Sequence, residues 1–171
     1  VADAAVSKGR VVNRKNDQDR FELFVFEYLQ QFGGIKIVQI SETTRDQIVG
    51  QIEVGRKEGL GQREIANNML ANVSGLAKAR ANVIARTETH SAGNFGALKQ
   101  AEDSGLNMMR EWIASSGART RDSHRQADGQ IVGLNDPFNV GGHKLMYPGD
   151  PSGPGSETIN CRCAVGYVVA D

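Results

Sequence analysis

The sequence predicts an α+β fold, with N-terminal helices packed on a small C-terminal antiparallel β-sheet with long loops. Three observations predict it. Apolar residues as far as about residue 104 recur at helical spacing. All four prolines (Pro137, Pro148, Pro151, Pro154) and 12 of the 20 glycines fall after residue 90, where they break helices and favour turns. After Gly105 the pattern changes to alternating, strand-like character, in Leu106 to Ser115.

Residues 1–18 are polar and read as a frayed tail. From Asp19 to Phe32, the residues Phe21, Phe24, Val25, Tyr28, Leu29 and Phe32 form an amphipathic stripe. A terminal helix has few neighbours within its own domain. The stripe is therefore expected to pack at least partly on another copy or a partner, with self-association through Phe21, Phe24, Tyr28 and Phe32. Gly33 and Gly34 stop the helix, and Ile35 to Ile40 reads as a short strand or an extended link. Ser41, Thr43 and Thr44 offer N-cap oxygens for a helix reaching about Glu58. Gly61 opens the next, with Ile65, Met69, Leu70 and Val73 inward. Ser74 or Gly75 caps a long helix closed near Asp103 by Gly105. Its small residues Ala81, Ala85, Ala92 and Gly96 permit close helix contact, while Gly93 and Gly96 each cost about 1 kcal/mol against Ala. Either the local fold compensates or something approaches the backbone there.

Leu106 to Ser115 predicts a strand with Met108, Arg110, Trp112 and Ala114 on one face. Arg121 to Gln126 predicts one helical turn, and Asp128-Gly129 a tight turn. Gly142 to Met146 and Cys161 to Val169 predict strands joined by the loop Tyr147 to Glu157.

Composition narrows the function. With 39% hydrophobic and 23% charged residues the chain is ordinary globular. No apolar run approaches the ~20 residues of a membrane helix, so no membrane role is expected. Residues 1–85 carry 12 basic and 10 acidic residues and the remainder 8 and 10, so no basic lobe predicts a DNA grip by gross charge. Two cysteines cannot build a disulfide framework. The chain begins at Val1 and has no secretory pattern, so it is expected to be a fragment or a processed product.

The polar residues cluster at Arg86 to His90, Arg119 to Gly129, Tyr147 to Asp150 and Asn160 to Cys163. His124, with Asp128 four residues on and Arg121 nearby, can be read as a general base oriented by a carboxylate. The preferred reading is a structural network of Arg86, Glu88, Arg121, His124, Asp128, Asn160 and Arg162 that locks the sheet onto the long helix, since buried charge must be paired. His124, Cys161 and Cys163 offer a partial zinc set that His90, His143 or Asp128 would complete. A single C-x-C falls short of the paired knuckles of a zinc module, so no metal or other cofactor is expected. There is no G-x-S-x-G, P-loop or G-x-G-x-x-G.

In this order, Ala85-Arg86-Thr87-Glu88, Trp112, Arg121-Asp122-Ser123-His124-Arg125, Asp128-Gly129-Gln130, Phe138, Tyr147 to Pro151 and Asn160-Cys161-Arg162-Cys163 resemble the phage Mu F-like minor head protein family. The likeness runs from about Thr43 to Cys163. It implies a family-like domain over 41–171, preceded by a tail and aromatic helix over 1–40. It also implies a structural role: a minor capsid, head morphogenesis protein of a bacteriophage or prophage. The likeness implies a portal-associated protein that contacts other head proteins, with packaged DNA as a further candidate partner, and that resides in the virion after assembly in the host cytoplasm. The rival is an enzyme acting on a nucleotide or nucleic acid, nuclease-like or ADP-ribosyltransferase-like, with His124 as acid/base and arginines holding phosphate. A DNA-contacting adaptor using Arg119, Arg121 and Arg125 is the third class.

Overall fold

The computed structural model describes residues 14–38 and 40–170. The tail expected over 1–18 therefore lies outside the described residues up to 13, and residues 14–18 belong to the first helix. Four helices come first: α1 (Arg14–Phe32), α2 (Glu42–Lys57), α3 (Gln62–Asn72) and α4 (Lys78–Asp103). There follow β1 (Met108–Ile113), α5 (Asp122–Ala127), β2 (Ile131–Gly133), β3 (Phe138–Val140), β4 (His143–Leu145), α6 (Gly155–Thr158) and β5 (Ala164–Val169). No helix among the described residues is long and apolar enough to cross a membrane.

Local chemistry sets the helix ends. Ser41 caps α2, its hydroxyl accepting from Thr44 N–H at 3.1 Å. Glu64 reaches back from α3 to accept the Gly61 N–H at 2.8 Å, satisfying a donor that the helix start leaves free. Between α1 and α2 the chain makes a turn and then a link with no strand pairing among its described residues, so the extended-link alternative holds there.

The aromatic stripe of α1 packs on the helices of this same chain, although a terminal helix was expected to find few neighbours there. Val25, Tyr28 and Leu29 are fully buried, and Phe21, Phe24 and Phe32 are half-buried against the same cluster. Tyr28, Phe32 and Phe95 of α4 form a triangle of rings 5.5–6.1 Å apart, tilted where Tyr28 takes part and edge-on between Phe32 and Phe95. The neighbour that the sequence did not reveal is α4, whose small residues let α1 lie close. A Cβ on Gly96 would meet the Phe21 ring at 3.0 Å and Val25 at 3.1 Å. Gly93 has open space around it, so only Gly96 repays its helical cost by close approach. An Arg20–Asp103 ion pair and a Gln100 side-chain hydrogen bond to the Asp17 carbonyl fasten the far end of the two helices.

The sheet has the order β2-β1-β5, all antiparallel, with Arg110 opposite Val132 and Tyr167, and Trp112 opposite Val165. A separate hairpin pairs β3 with β4, Phe138 opposite Leu145. Trp112, Ala127, Phe138, Val140, Leu145, Cys161 and Cys163 form a second core. Tyr147 leaves the hairpin to join the helical core, its ring 6.0 Å from Phe95. Directly after it, Gly149 (φ +87) packs on α4 where a Cβ would run into Ser91. Asp150 ties this corner by accepting the Met146 and Ser152 N–H groups at 2.7 and 2.8 Å. The loop that reads as turn chemistry in the sequence is thus the wedge between sheet and helix.

One expected strand is shortened and two short ones are added. The segment expected as Cys161 to Val169 becomes strand only at Ala164, because Asn160 takes a left-handed turn (φ 60) and Cys161 N–H closes on Thr158 O. The cysteines therefore sit in a loop that precedes β5. Short β2 and β3 are strands for which no element was expected.

Candidate functional site: an imidazole, two thiols and an arginine-lined cleft

Residues 159–163 bridge α4 and α5. Toward α4, Asn160 N–H donates to Thr87 Oγ1 at 2.9 Å, and Arg86 donates to Asn160 Oδ1 at 2.6 Å. His90 also hydrogen-bonds the Cys163 backbone, and burial holds its pKa below the ordinary histidine value against the raising effect of Cys163. Toward α5, Arg121 donates to the Ile159 carbonyl at 2.6 Å. Beside it His124, 2% exposed, points Nδ1 at Cys163 Sγ (3.2 Å) and Cys161 Sγ (3.6 Å).

The opposite ring nitrogen of His124 lies 3.0 Å from Glu157 Oε2 on α6. The same oxygen accepts from Ser123 Oγ at 2.8 Å. The Trp112 ring meets the imidazole edge-on, centroids 5.6 Å apart. The ring is held on three sides, and its proton placement follows: Nε2 donates to Glu157, leaving the Nδ1 lone pair toward the sulfurs. The two thiols are strongly coupled. The hydrogen bond between them lowers the Cys163 pKa, helped by His124, and raises that of Cys161, where burial adds to the rise.

A cleft of about 330 Å³ opens beside these groups, lined by Ser115, Thr120, His124, Cys161 and Cys163 and by Arg119, Arg121 and Arg162. Arg119 and Arg162 are exposed on it. Arg86 stands near enough that, after desolvation, the charges of Arg162 and Arg119 lower its pKa. The electrostatics of the cleft are thus cationic, although the chain as a whole is neutral.

The expected seven-residue network is divided. Arg86, Asn160, Arg121 and His124 do join α4, the bridge and α5. Asp128 does not orient His124: α5 ends at Ala127, and Asp128 turns away to accept the Ala114 N–H at 2.8 Å. Glu157 takes that role. The alternative catalytic trio His124, Asp128 and Arg121 is therefore not assembled. Arg162 is exposed at the cleft rim and Arg86 is half-buried. Glu88 faces another side altogether, accepting the Gly34 N–H between α1 and α2 at 3.2 Å.

Glu88 is 3% exposed, and burial pushes its pKa up from 4.5 to about 7 despite the stabilising Gly34 hydrogen bond. A carboxyl raised in the folded state keeps its proton there while the unfolded chain has lost it. Its contribution is favourable below about pH 4.5 and is lost as pH rises through about 7. The span corresponds to on the order of 3 kcal/mol. Glu88→Gln keeps an acceptor for Gly34 and removes the charge. Thermal melts between about pH 5 and 8 should show the variant gaining on the parent as pH rises, by about 1–3 kcal/mol at the upper end. A constant difference across that range would refute it.

A family model described as "Phage Mu protein F like protein" matches residues 46–166. The chain belongs to the phage Mu protein F like family. Among curated relatives of this Mu F-like chain, the minor head protein GP7 of Bacillus phage SPP1 is 30% identical over 146 residues, covering 79% of this chain and 46% of the relative. An Enterococcus faecalis protein named NAD(+)–arginine ADP-ribosyltransferase EFV is 32% identical over 125 residues, covering 71% and 25%. The uncharacterized protein YqbB of Bacillus subtilis is 23% identical over 138 residues, covering 78% and 45%. The Mu F-like chain thus spans about half, or a quarter, of the length of these relatives. No solved structure matches it. The site residues from Arg86 to Cys163 all lie within the span matched by the family.

Glu157 is the polar residue that the sequence does not single out, while Asp150 stands there in a polar cluster and Arg110 on a strand face, each without an assigned role. Arg110 is 0% exposed and donates only to carbonyls, of Gly133 (3.4 Å), Asp136 and Met146. The signal available was its position two residues from Trp112 on a strand, which places both side chains on one face.

Proposed function

We propose that this chain is the Mu F-like part of a minor head protein acting structurally in phage head morphogenesis. In this reading it associates with the portal and other head proteins, and it resides in the virion after assembly in the host cytoplasm. The observation that carries the reading is the similarity to the SPP1 minor head protein over most of this chain. The use of the polar residues supports it. Both His124 nitrogens are engaged in a buried setting, and Asn160, Arg86 and Thr87 are spent on joining layers. Such groups fix geometry rather than wait for a substrate. The arginine-lined cleft suits a phosphate backbone, so packaged DNA is included among the partners.

The enzyme reading has one specific observation in its favour, the similarity to the Enterococcus ADP-ribosyltransferase. That likeness covers a quarter of the relative's length, and no oriented general base faces solvent at His124. It therefore stands second.

The deciding experiment follows the tagged full-length protein through infection or prophage induction. It should sediment with purified heads and co-purify with the portal, and particles lacking it should be defective in assembly or DNA content. Heads that form and infect normally without it, together with NAD-dependent labelling of arginine by the purified chain, would replace this reading with the enzymatic one.

A further inference from the structure

We infer that Cys161, Cys163 and His124 bind a zinc-class divalent cation through two thiolates and the imidazole Nδ1, with Glu157 holding the ring from behind. The inference does not depend on the head-assembly reading.

Among the described residues, the ligand atoms of these three buried side chains lie within 4.8 Å of one another. A tetrahedral zinc with Zn–S of about 2.3 Å and Zn–N of about 2.0–2.1 Å spaces neighbouring N and S ligands roughly 3.6 Å apart. The observed separations from Nδ1 are 3.2 Å to Cys163 and 3.6 Å to Cys161, so an ion fits with small side-chain adjustments. Nδ1 sits between the sulfurs with its lone pair toward them. Glu157 on Nε2 completes the carboxylate–histidine–metal arrangement that fixes ring tautomer and orientation in metal sites and raises ligand basicity.

Sulfur and imidazole together favour zinc over calcium or magnesium, which take oxygen ligands. The charge balances: two thiolates and a neutral imidazole cancel the ion, and the thiol protons leave to solvent as it binds. Arg119, Arg121 and Arg162 along the cleft add the positive potential that favours thiolates. The fourth position faces the cleft, where a water can complete the tetrahedron. The ion would clamp α5 to the bridge before β5, at the junction of the second core. Two buried cysteines can otherwise act simply as small apolar residues. That role accounts for their burial but not for both converging on one imidazole nitrogen.

The full chain, reduced and loaded with Zn²⁺, should retain about one ion per chain after gel filtration. Loading with Co²⁺ should give a thiolate-to-metal charge-transfer band, and both thiols should resist a thiol reagent until a chelator is added. Cys163→Ser should lose the ion and the band. Glu157→Gln leaves all three ligands in place and should lower affinity 10–100-fold, read by competition with a chelating dye. That variant keeps the test valid even where Cys163→Ser fails to fold. A reduced parent chain that retains no zinc and gives no cobalt band overturns the inference. Zinc binding of unchanged affinity in both variants overturns it as well.

Discussion

A chain lacking residues 1–34 should fail to fold cooperatively. Val25, Tyr28 and Leu29 are each at most 3% exposed. Burying such side chains contributes about 1.5–3 kcal/mol apiece, so these three alone represent roughly 5–9 kcal/mol. The whole stability of a domain is about 5–15 kcal/mol. The truncation also strips Phe95 and Leu98 of α4 of their cover and leaves the buried Glu88 without its Gly34 donor. The milder Leu29→Ala should cost about 2–5 kcal/mol in urea unfolding. If the truncated chain gives a sharp thermal transition and native-like circular dichroism, α1 is an appendage and the packing argument fails. The family match begins at residue 46, so this experiment asks whether that match contains a complete folding unit.

The elements legible in the sequence are those whose burial follows a period. The stripe of α1, the small-residue face of α4 and the Arg110–Trp112 face of β1 can each be read from spacing, and the structure uses each. What spacing cannot supply is the partner. The α1 stripe reads as orphaned because α4, its cover, lies over 60 residues downstream and shows no matching aromatic pattern. Its contribution there is an absence of side chain at Gly96. By sequence, Asp128 reads as the partner of His124 because it stands four residues away beside an expected helical turn. That turn stops one residue short, and the acid that arrives is Glu157, from a four-residue helix inside a loop rich in Pro and Gly. Likewise the two thiols meet His124 because loops bring them back, 37 and 39 residues later.

Arg110→Ala should be the most damaging single substitution. The guanidinium sits between β1, β2, the turn at Asp136 and the end of the hairpin, and bonds a backbone carbonyl in each of the last three. It also lies over the Phe138 ring at 5.0 Å. Burial lowers its pKa, countered by Tyr167, Glu102 and Asp136, yet an arginine remains charged in proteins. Five donors in a rigid fork can serve three carbonyls at once, and no other side chain can. Truncation leaves those carbonyls unpaired and opens a void beside Phe138. At about 1.5–3 kcal/mol for a hydrogen bond to a charged group, a loss of about 4–6 kcal/mol is expected, the range reserved for disrupted buried networks. Arg110→Met separates the causes, since it refills much of the volume without the donors and should recover only the cavity part. Urea unfolding measures both variants, and amide exchange should show the β3–β4 hairpin losing protection first, because its end is held by this one side chain. If both variants unfold within about 1 kcal/mol of the parent, water reaches the carbonyls readily and the guanidinium is not what joins the hairpin to the sheet.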